Sequence, residues 1–163
     1  MDSIASTAPI DPMPEPRDSR EERAARLHGT WKMASWTVED LLSGEKTPAL
    51  GENPAGYITY SPEGRVMVLV LSGDREKPAG LVPTGTEKIS LYDSMFAYAG
   101  SYSVDDGKVL HHIDMSWNEA WTGTTQIRFL KLQGDQLTYV SAPARSPMNG
   151  RDCVHTVVFR RVA

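Results

Sequence analysis

From residue 30 onward the apolar positions fall into short runs with a two-residue period, and Gly-, Asp- and Pro-bearing turns separate the runs. This pattern predicts strands over about 30–40, 56–60, 65–71, 98–104, 109–117, 122–132, 136–141 and 154–162. Ser61-Pro62-Glu63-Gly64, Asp105-Asp106-Gly107 and Gln133-Gly134-Asp135 are the hairpin turns between them. Two segments break the period. Ser19-Arg20-Glu21-Glu22 has the spacing of a capping box and opens a short helix that ends near His28. Thr84-Gly85-Thr86-Glu87 opens a second helix, on which Ile89, Tyr92 and Phe96 recur at helical spacing. The chain therefore reads as all-β: an eight-stranded up-and-down antiparallel barrel with a short N-terminal helix and a helix in the 73–97 connection. A β-sandwich is the competing architecture.

Composition narrows the picture without changing it. The 163 residues suit one domain over 18–163, preceded by a Pro-rich segment, 1–17, that is polar, aperiodic and expected to be disordered. That segment lacks the basic start and apolar run of a secretory signal, and no window is apolar enough to span a bilayer. A net charge of −4 with no Lys/Arg cluster argues against nucleic acid as a partner. The single cysteine, Cys153, rules out an intramolecular disulfide and fits a reducing compartment, so a cytoplasmic location is expected, with no membrane partner.

Alternation also says which side chains enter the barrel. Over 98–104, Tyr98, Gly100, Tyr102 and Val104 share the inward face. Over 109–117 that face carries Val109, His111, Ile113 and Met115, leaving His112 outside. In Gln126-Ile127-Arg128-Phe129-Leu130-Lys131-Leu132, an outward Lys131 sends Leu130, Leu132, Arg128 and Gln126 inward; the alternative puts Ile127 and Phe129 inside. His111, Gln126, Arg128, Tyr98 and Tyr102 are thus aimed at one volume. An apolar enclosure with a few convergent polar groups is the usual form of a small-molecule site. A buried arginine there needs a carboxylate, water or an anionic ligand group. Tyrosine hydroxyls and water could equally satisfy Arg128 and His111.

Other chemistries find little support. His111 and His112 point to opposite faces and form no metal site, and Cys153 has no histidine partner that spacing alone would identify. No nucleophile elbow or dinucleotide loop is present. Trp117-Asn118-Glu119-Ala120-Trp121 is a turn with an indole at each end, either a rim to the cavity or a simple cover for the barrel edge. The run Val66 to Leu71 is apolar on both faces, so Met67, Leu69 and Leu71 require cover from the second helix, the N-terminal segment or another subunit. A homodimer is one such arrangement.

Several of these stretches together resemble the lipocalin-like domain family of small calycin-type barrels. They are Gly29-Thr30-Trp31, Gly51-Glu52-Asn53-Pro54 with Gly56-Tyr57, Tyr60 to Arg65, Tyr98 to Tyr102, His111-His112, and Trp121-Thr122-Gly123-Thr124 with Gln126 and Arg128. The resemblance implies that Trp31 packs across a closed end near Arg161, and it supports an inward Arg128. Phe129, Met67 and Leu69 depart from its pattern and suggest an added apolar outer surface. It further implies binding of a small, mostly hydrophobic molecule without a cofactor. Candidate ligand-contacting residues are Tyr98, Tyr102, His111, Met115, Trp117, Trp121, Gln126 and Arg128. Some barrels of this general kind catalyse cyclisation or isomerisation of biosynthetic intermediates. In that alternative, a cofactor-free cyclase or isomerase of a polyketide- or terpenoid-like substrate, His111 moves a proton and Arg128 or Tyr102 stabilises an enolate-like oxygen. A protein-interaction role for the outer apolar stripe is a third possibility.

Overall fold

The computed structural model describes residues 19–145 and 150–162; the expected disordered segment 1–17 lies outside them. A short helix, α1 (Arg20–Leu27), leads into β1 (Gly29–Asp40). Then follow β2 (Lys46–Pro48), β3 (Ala55–Tyr60), β4 (Arg65–Leu71), α2 (Gly85–Asp93), β5 (Met95–Asp105) and β6 (Lys108–Ser116). A single 3₁₀ turn, Glu119–Trp121, precedes β7 (Thr125–Gln133), β8 (Gln136–Val140), β9 (Ala144–Arg145) and β10 (Asp152–Arg161). All pairings are antiparallel; β3 to β8 pair in chain order, β1 pairs with β3 and β8 with β10 past the short β2 and β9, and β1 pairs with β10 to close the sheet. Eight strands make the closed barrel. β2 and β9, too short to show in the alternation, extend β1 and β10 at one end.

Closure explains the inner face. A closed sheet has no free edge, and its small interior must be filled by side chains. Ile58, Val66, Val68, Val70, Val104, Val109, Ile113, Leu137 and Phe159 fill it from six strands and are buried.

The end next to α1 is sealed. Ser19 accepts from the Glu22 amide, and the Glu22 carboxylate accepts from the Ser19 amide at 2.7 Å, so two N-terminal amides of α1 are satisfied. The helix carries Leu27 onto the barrel base, where it is fully buried. Gly29 has φ +114°, a left-handed conformation suited to glycine, and it turns the chain into β1. Trp31, also fully buried, donates its indole N–H to the Leu27 carbonyl at 2.8 Å. The Arg161 guanidinium lies 4.0 Å from the centre of the Trp31 ring and donates to the carbonyls of His28 and Arg26 at 2.8 Å each. Those carbonyls belong to the end of α1, so one cation covers the indole and caps the helix.

Two expectations fail at identifiable places, one from strand alternation and one from helical spacing. Opposite the β5 step from Ala99 to Gly100, Ala99 pairs with Met115 and Gly100 with Ile113, which leaves Asp114 as an extra residue in β6. The bulge reverses the faces beyond it, so Met115 points outward and is 61% exposed rather than lining the interior. Gly100 permits the kink, because a Cβ there would lie 2.0 Å from the His112 carbonyl oxygen. Phe96 is not on the second helix: α2 stops at Asp93, and Phe96 pairs with Val70 as part of β5. Nor does α2 cover the outer apolar face of β4, where Met67 and Leu69 are exposed, as are Ile127 and Phe129 on β7. No helix among the described residues is long and apolar enough to cross a membrane.

Candidate functional site

Arg128, Gln126, His111 and Tyr98 share the inner face, on adjacent strands β7, β6 and β5. The ladder sets His111 opposite both Gln126 and Tyr102, and Arg128 opposite Val109. Alternation survives here because the bulge lies nearer the mouth than His111. The inward reading of Arg128 holds: Ile127 and Phe129 lie outside, while Gln126, Arg128, Leu130 and Leu132 are partly buried.

His111 is the one buried polar residue in the described core. Its Nδ1 hydrogen-bonds with the Tyr98 hydroxyl at 2.5 Å and its Nε2 with the Tyr60 hydroxyl at 2.7 Å. Tyr60 in turn hydrogen-bonds with the Tyr139 hydroxyl. Burial holds the imidazole neutral, lowering its pKa to about 3, with further pressure from the Arg128 and His112 charges. The same burial raises Tyr98 to about 12 and pushes Tyr60 and Tyr139 well up, an effect the Arg128 charge partly offsets. The cluster is therefore an uncharged hydrogen-bonded chain beside one cation.

Arg128 is held loosely. It donates to the Ile127 carbonyl at 3.1 Å and reaches the Gln126 amide oxygen at 3.5 Å. Gln126 donates to Thr124 at 3.2 Å, and Thr124 donates to the Trp121 carbonyl at 2.7 Å, so a polar thread runs from Arg128 up to the mouth. Among the described residues Arg128 makes no ion pair. A partly buried guanidinium without a carboxylate has electrostatic capacity to spare.

Aromatic rings cover the mouth. Phe96 sits at their centre, 5.5 Å from Trp36, 4.6 Å from Trp117, 5.0 Å from Trp121 and 5.5 Å from Tyr98, ring centre to ring centre. Trp117 and Trp121 are 5.7 Å apart across the 3₁₀ turn. Trp36 donates its indole N–H to His155 Nδ1 at 3.0 Å, which leaves the ring proton of neutral His155 on Nε2, 3.7 Å from the Cys153 sulfur. Burial, with the Arg128 charge, lowers the His155 pKa.

The structure thus brings together Tyr98, His111, Gln126 and Arg128, with Trp117 and Trp121 at the rim. It leaves out Met115, turned outward by the bulge. It also withdraws Tyr102 from the polar cluster. Although Tyr102 faces His111 across the ladder, its hydroxyl donates to the Ser61 carbonyl at 3.1 Å, toward the sealed end, and its ring packs edge-on against Tyr60. Sequence reasoning missed Tyr60, Tyr139, Phe96, Trp36 and the Cys153–His155 pair. Alternation applied to Gly56–Tyr60 and Gln136–Val140 finds the first two, since Tyr60 follows Ile58 and Tyr139 follows Leu137 on the inner face. Two surface clefts lie elsewhere: one of about 140 Å³ between α1 and the Leu130–Leu132 end of β7, the other of about 150 Å³ on the outer face of β1 and β10. Among the described residues no cluster of three His, Cys, Asp or Glu side chains could hold a metal ion.

A closed eight-stranded antiparallel barrel, with its Trp–Arg seal at one end and a polar cluster toward the other, defines a ligand-binding type of fold. Residues 28–162 match the model of the lipocalin-like domain family, and the chain belongs to that family. No curated protein matches the chain.

Proposed function

We propose that the barrel binds a small, mostly hydrophobic molecule between the aromatic mouth and the His111 cluster, with an anionic or carbonyl group of that molecule at Arg128. The observation that carries this reading is the inward guanidinium that meets no carboxylate among the described residues, set below five aromatic side chains. The rings supply apolar area and the arginine supplies orientation. Because Phe96 touches its aromatic neighbours, entry of a ligand requires Phe96 and the Trp117–Trp121 turn to give way. A catalytic reading, in which His111 takes a proton during cyclisation or isomerisation, is disfavoured by the same geometry. Both ring nitrogens are engaged, and a base with a pKa of about 3 is weak at neutral pH.

The test is calorimetric titration with 2-naphthoate and with 2-isopropylnaphthalene, an apolar control, on the wild type and on Arg128→Met. The expected result is binding of 2-naphthoate that weakens roughly 10- to 100-fold in the variant, the worth of a charge-assisted hydrogen bond, with the apolar control little changed. Equal loss for both compounds, or none, contradicts the assignment of Arg128.

A further inference from the structure

The hydrogen-bonded chain Tyr139–Tyr60–His111–Tyr98 has a property that its members do not have separately. It holds four O–H or N–H protons: three hydroxyl protons and one on the neutral imidazole. Only three bonds link its members. One proton is therefore always left over, and wherever Tyr60 both donates one bond and accepts the other, it sits at one end of the chain. In the first arrangement Tyr139 donates to Tyr60, Tyr60 donates to Nε2, Nδ1–H donates to Tyr98, and the Tyr98 hydroxyl proton is spare. In the second, Tyr98 donates to Nδ1, Nε2–H donates to Tyr60, Tyr60 donates to Tyr139, and the Tyr139 proton is spare. The two differ only in the imidazole tautomer and in hydroxyl rotation, with no change in net charge.

The two ends are not equivalent. Tyr139 is buried against Phe159, with ring centres 5.8 Å apart, and among the described residues its hydroxyl has no hydrogen-bond partner besides Tyr60. Tyr98 is buried too, yet it stands at the mouth end, in contact with Phe96 and 6.2 Å from Trp121, ring centre to ring centre. A spare proton on Tyr98 lies at the end of the chain toward the mouth, the side from which a ligand oxygen would come; one on Tyr139 lies at the far end, against Phe159. An unsatisfied buried hydroxyl is costly, and bonds along such a chain polarise one another, so the chain should turn as a unit.

We propose that this chain is a reversible relay read by the ligand through the Tyr98 hydroxyl. The ligand class follows: a conjugated, ring-sized molecule carrying a carbonyl or enol oxygen, accepted in either form. A carbonyl takes the Tyr98 proton and sets the Nδ1–H tautomer of His111. An enol or phenol donates to Tyr98 and sets the Nε2–H tautomer. The relay rests on the barrel-binding reading and refines which oxygen chemistry the site recognises.

The experiment uses the full chain with ¹⁵N-labelled histidine. His111 ring nitrogens are recorded with 2-acetylnaphthalene, an acceptor, and with 2-naphthol, a donor. The expected result is a neutral ring in both complexes, protonated on Nδ1 with the ketone and on Nε2 with the naphthol. Affinity for 2-acetylnaphthalene relative to 2-isopropylnaphthalene should fall roughly 2- to 10-fold in Tyr98→Phe, the range of one net hydrogen bond. Tyr139→Phe removes the acceptor that the second arrangement needs, so it should keep or raise that ratio, an effect that lost packing alone does not give. The same tautomer with both ligands, or a ratio unmoved by Tyr98→Phe, overturns the relay while leaving barrel binding intact. Failure of every naphthalene probe to bind overturns the binding reading, and the relay with it.

Discussion

Arg161 lies at the closed end of the inner surface and Arg128 partway along it, and they are used in opposite ways. Arg161 is spent: its guanidinium covers Trp31, donates to two helix-end carbonyls and lies 3.5 Å from Asp135. Arg128 has one backbone carbonyl, one long contact to Gln126, and no carboxylate among the described residues. The first belongs to the architecture of the sealed end; the second keeps donors free for the ligand role proposed for it. Near an apolar interior the informative quantity is not whether a cation points inward but how many of its donors are already used.

The comparison breaks most readily at the sealed end. Trp31→Ala removes a fully buried indole and its bond to Leu27, and it should cost about 3–5 kcal/mol in denaturant unfolding. A loss under about 1 kcal/mol would mean that the seal is not what closes the barrel. Arg161→Met should cost about 2–3 kcal/mol, because two charge-assisted bonds to helix-end carbonyls are lost.

A pH effect comes next. His111 has an ordinary pKa of 6.5 when unfolded and about 3 when folded, so below 6.5 the unfolded chain binds the extra proton. The stability this contributes is complete above pH 6.5 and drains away as pH falls toward 3. At roughly 1.4 kcal/mol per unit, about 2 kcal/mol should be lost between pH 8 and pH 5. His155, also lowered, adds in the same direction. Asp40, Asp105 and Asp114 have lowered pKa values as well, so their contributions are lost only at lower pH. Unfolding curves for the wild type and His111→Phe should therefore show a flatter slope for the variant over pH 5–8. Parallel slopes would contradict a neutral buried His111. The smallest effect sharpens the contrast: Arg128→Met should change stability by less than about 1 kcal/mol, since it breaks no ion pair among the described residues. A loss as large as that of Arg161→Met would make Arg128 structural.

Much of this was legible in the chain. Turns such as Asp105-Asp106-Gly107 fix where strands end, and alternation between them places Tyr98, His111, Gln126 and Arg128 on one face. The failures have local causes. The bulge at Asp114 depends on how β6 meets β5 where Gly100 lets the His112 carbonyl close in, and nothing in residues 109–117 themselves encodes that register. Phe96 lies at helical spacing from Ile89 and Tyr92, but its pairing with Val70 overrides the local pattern. Tyr60 and Tyr139 were readable as inward but not as partners. They meet across the barrel, 79 residues apart in sequence, a contact that only closure creates.

The most direct test of the open-end assignment is an NMR titration of the wild type with 2-naphthoate, following the Arg128 and Arg161 Nε–H signals together with the indole N–H signals of Trp31, Trp117 and Trp121. The account predicts shifts at Arg128, Trp117 and Trp121, with Arg161 and Trp31 silent. Shifts confined to Arg161 and Trp31, or a silent Arg128 at saturation, would contradict it.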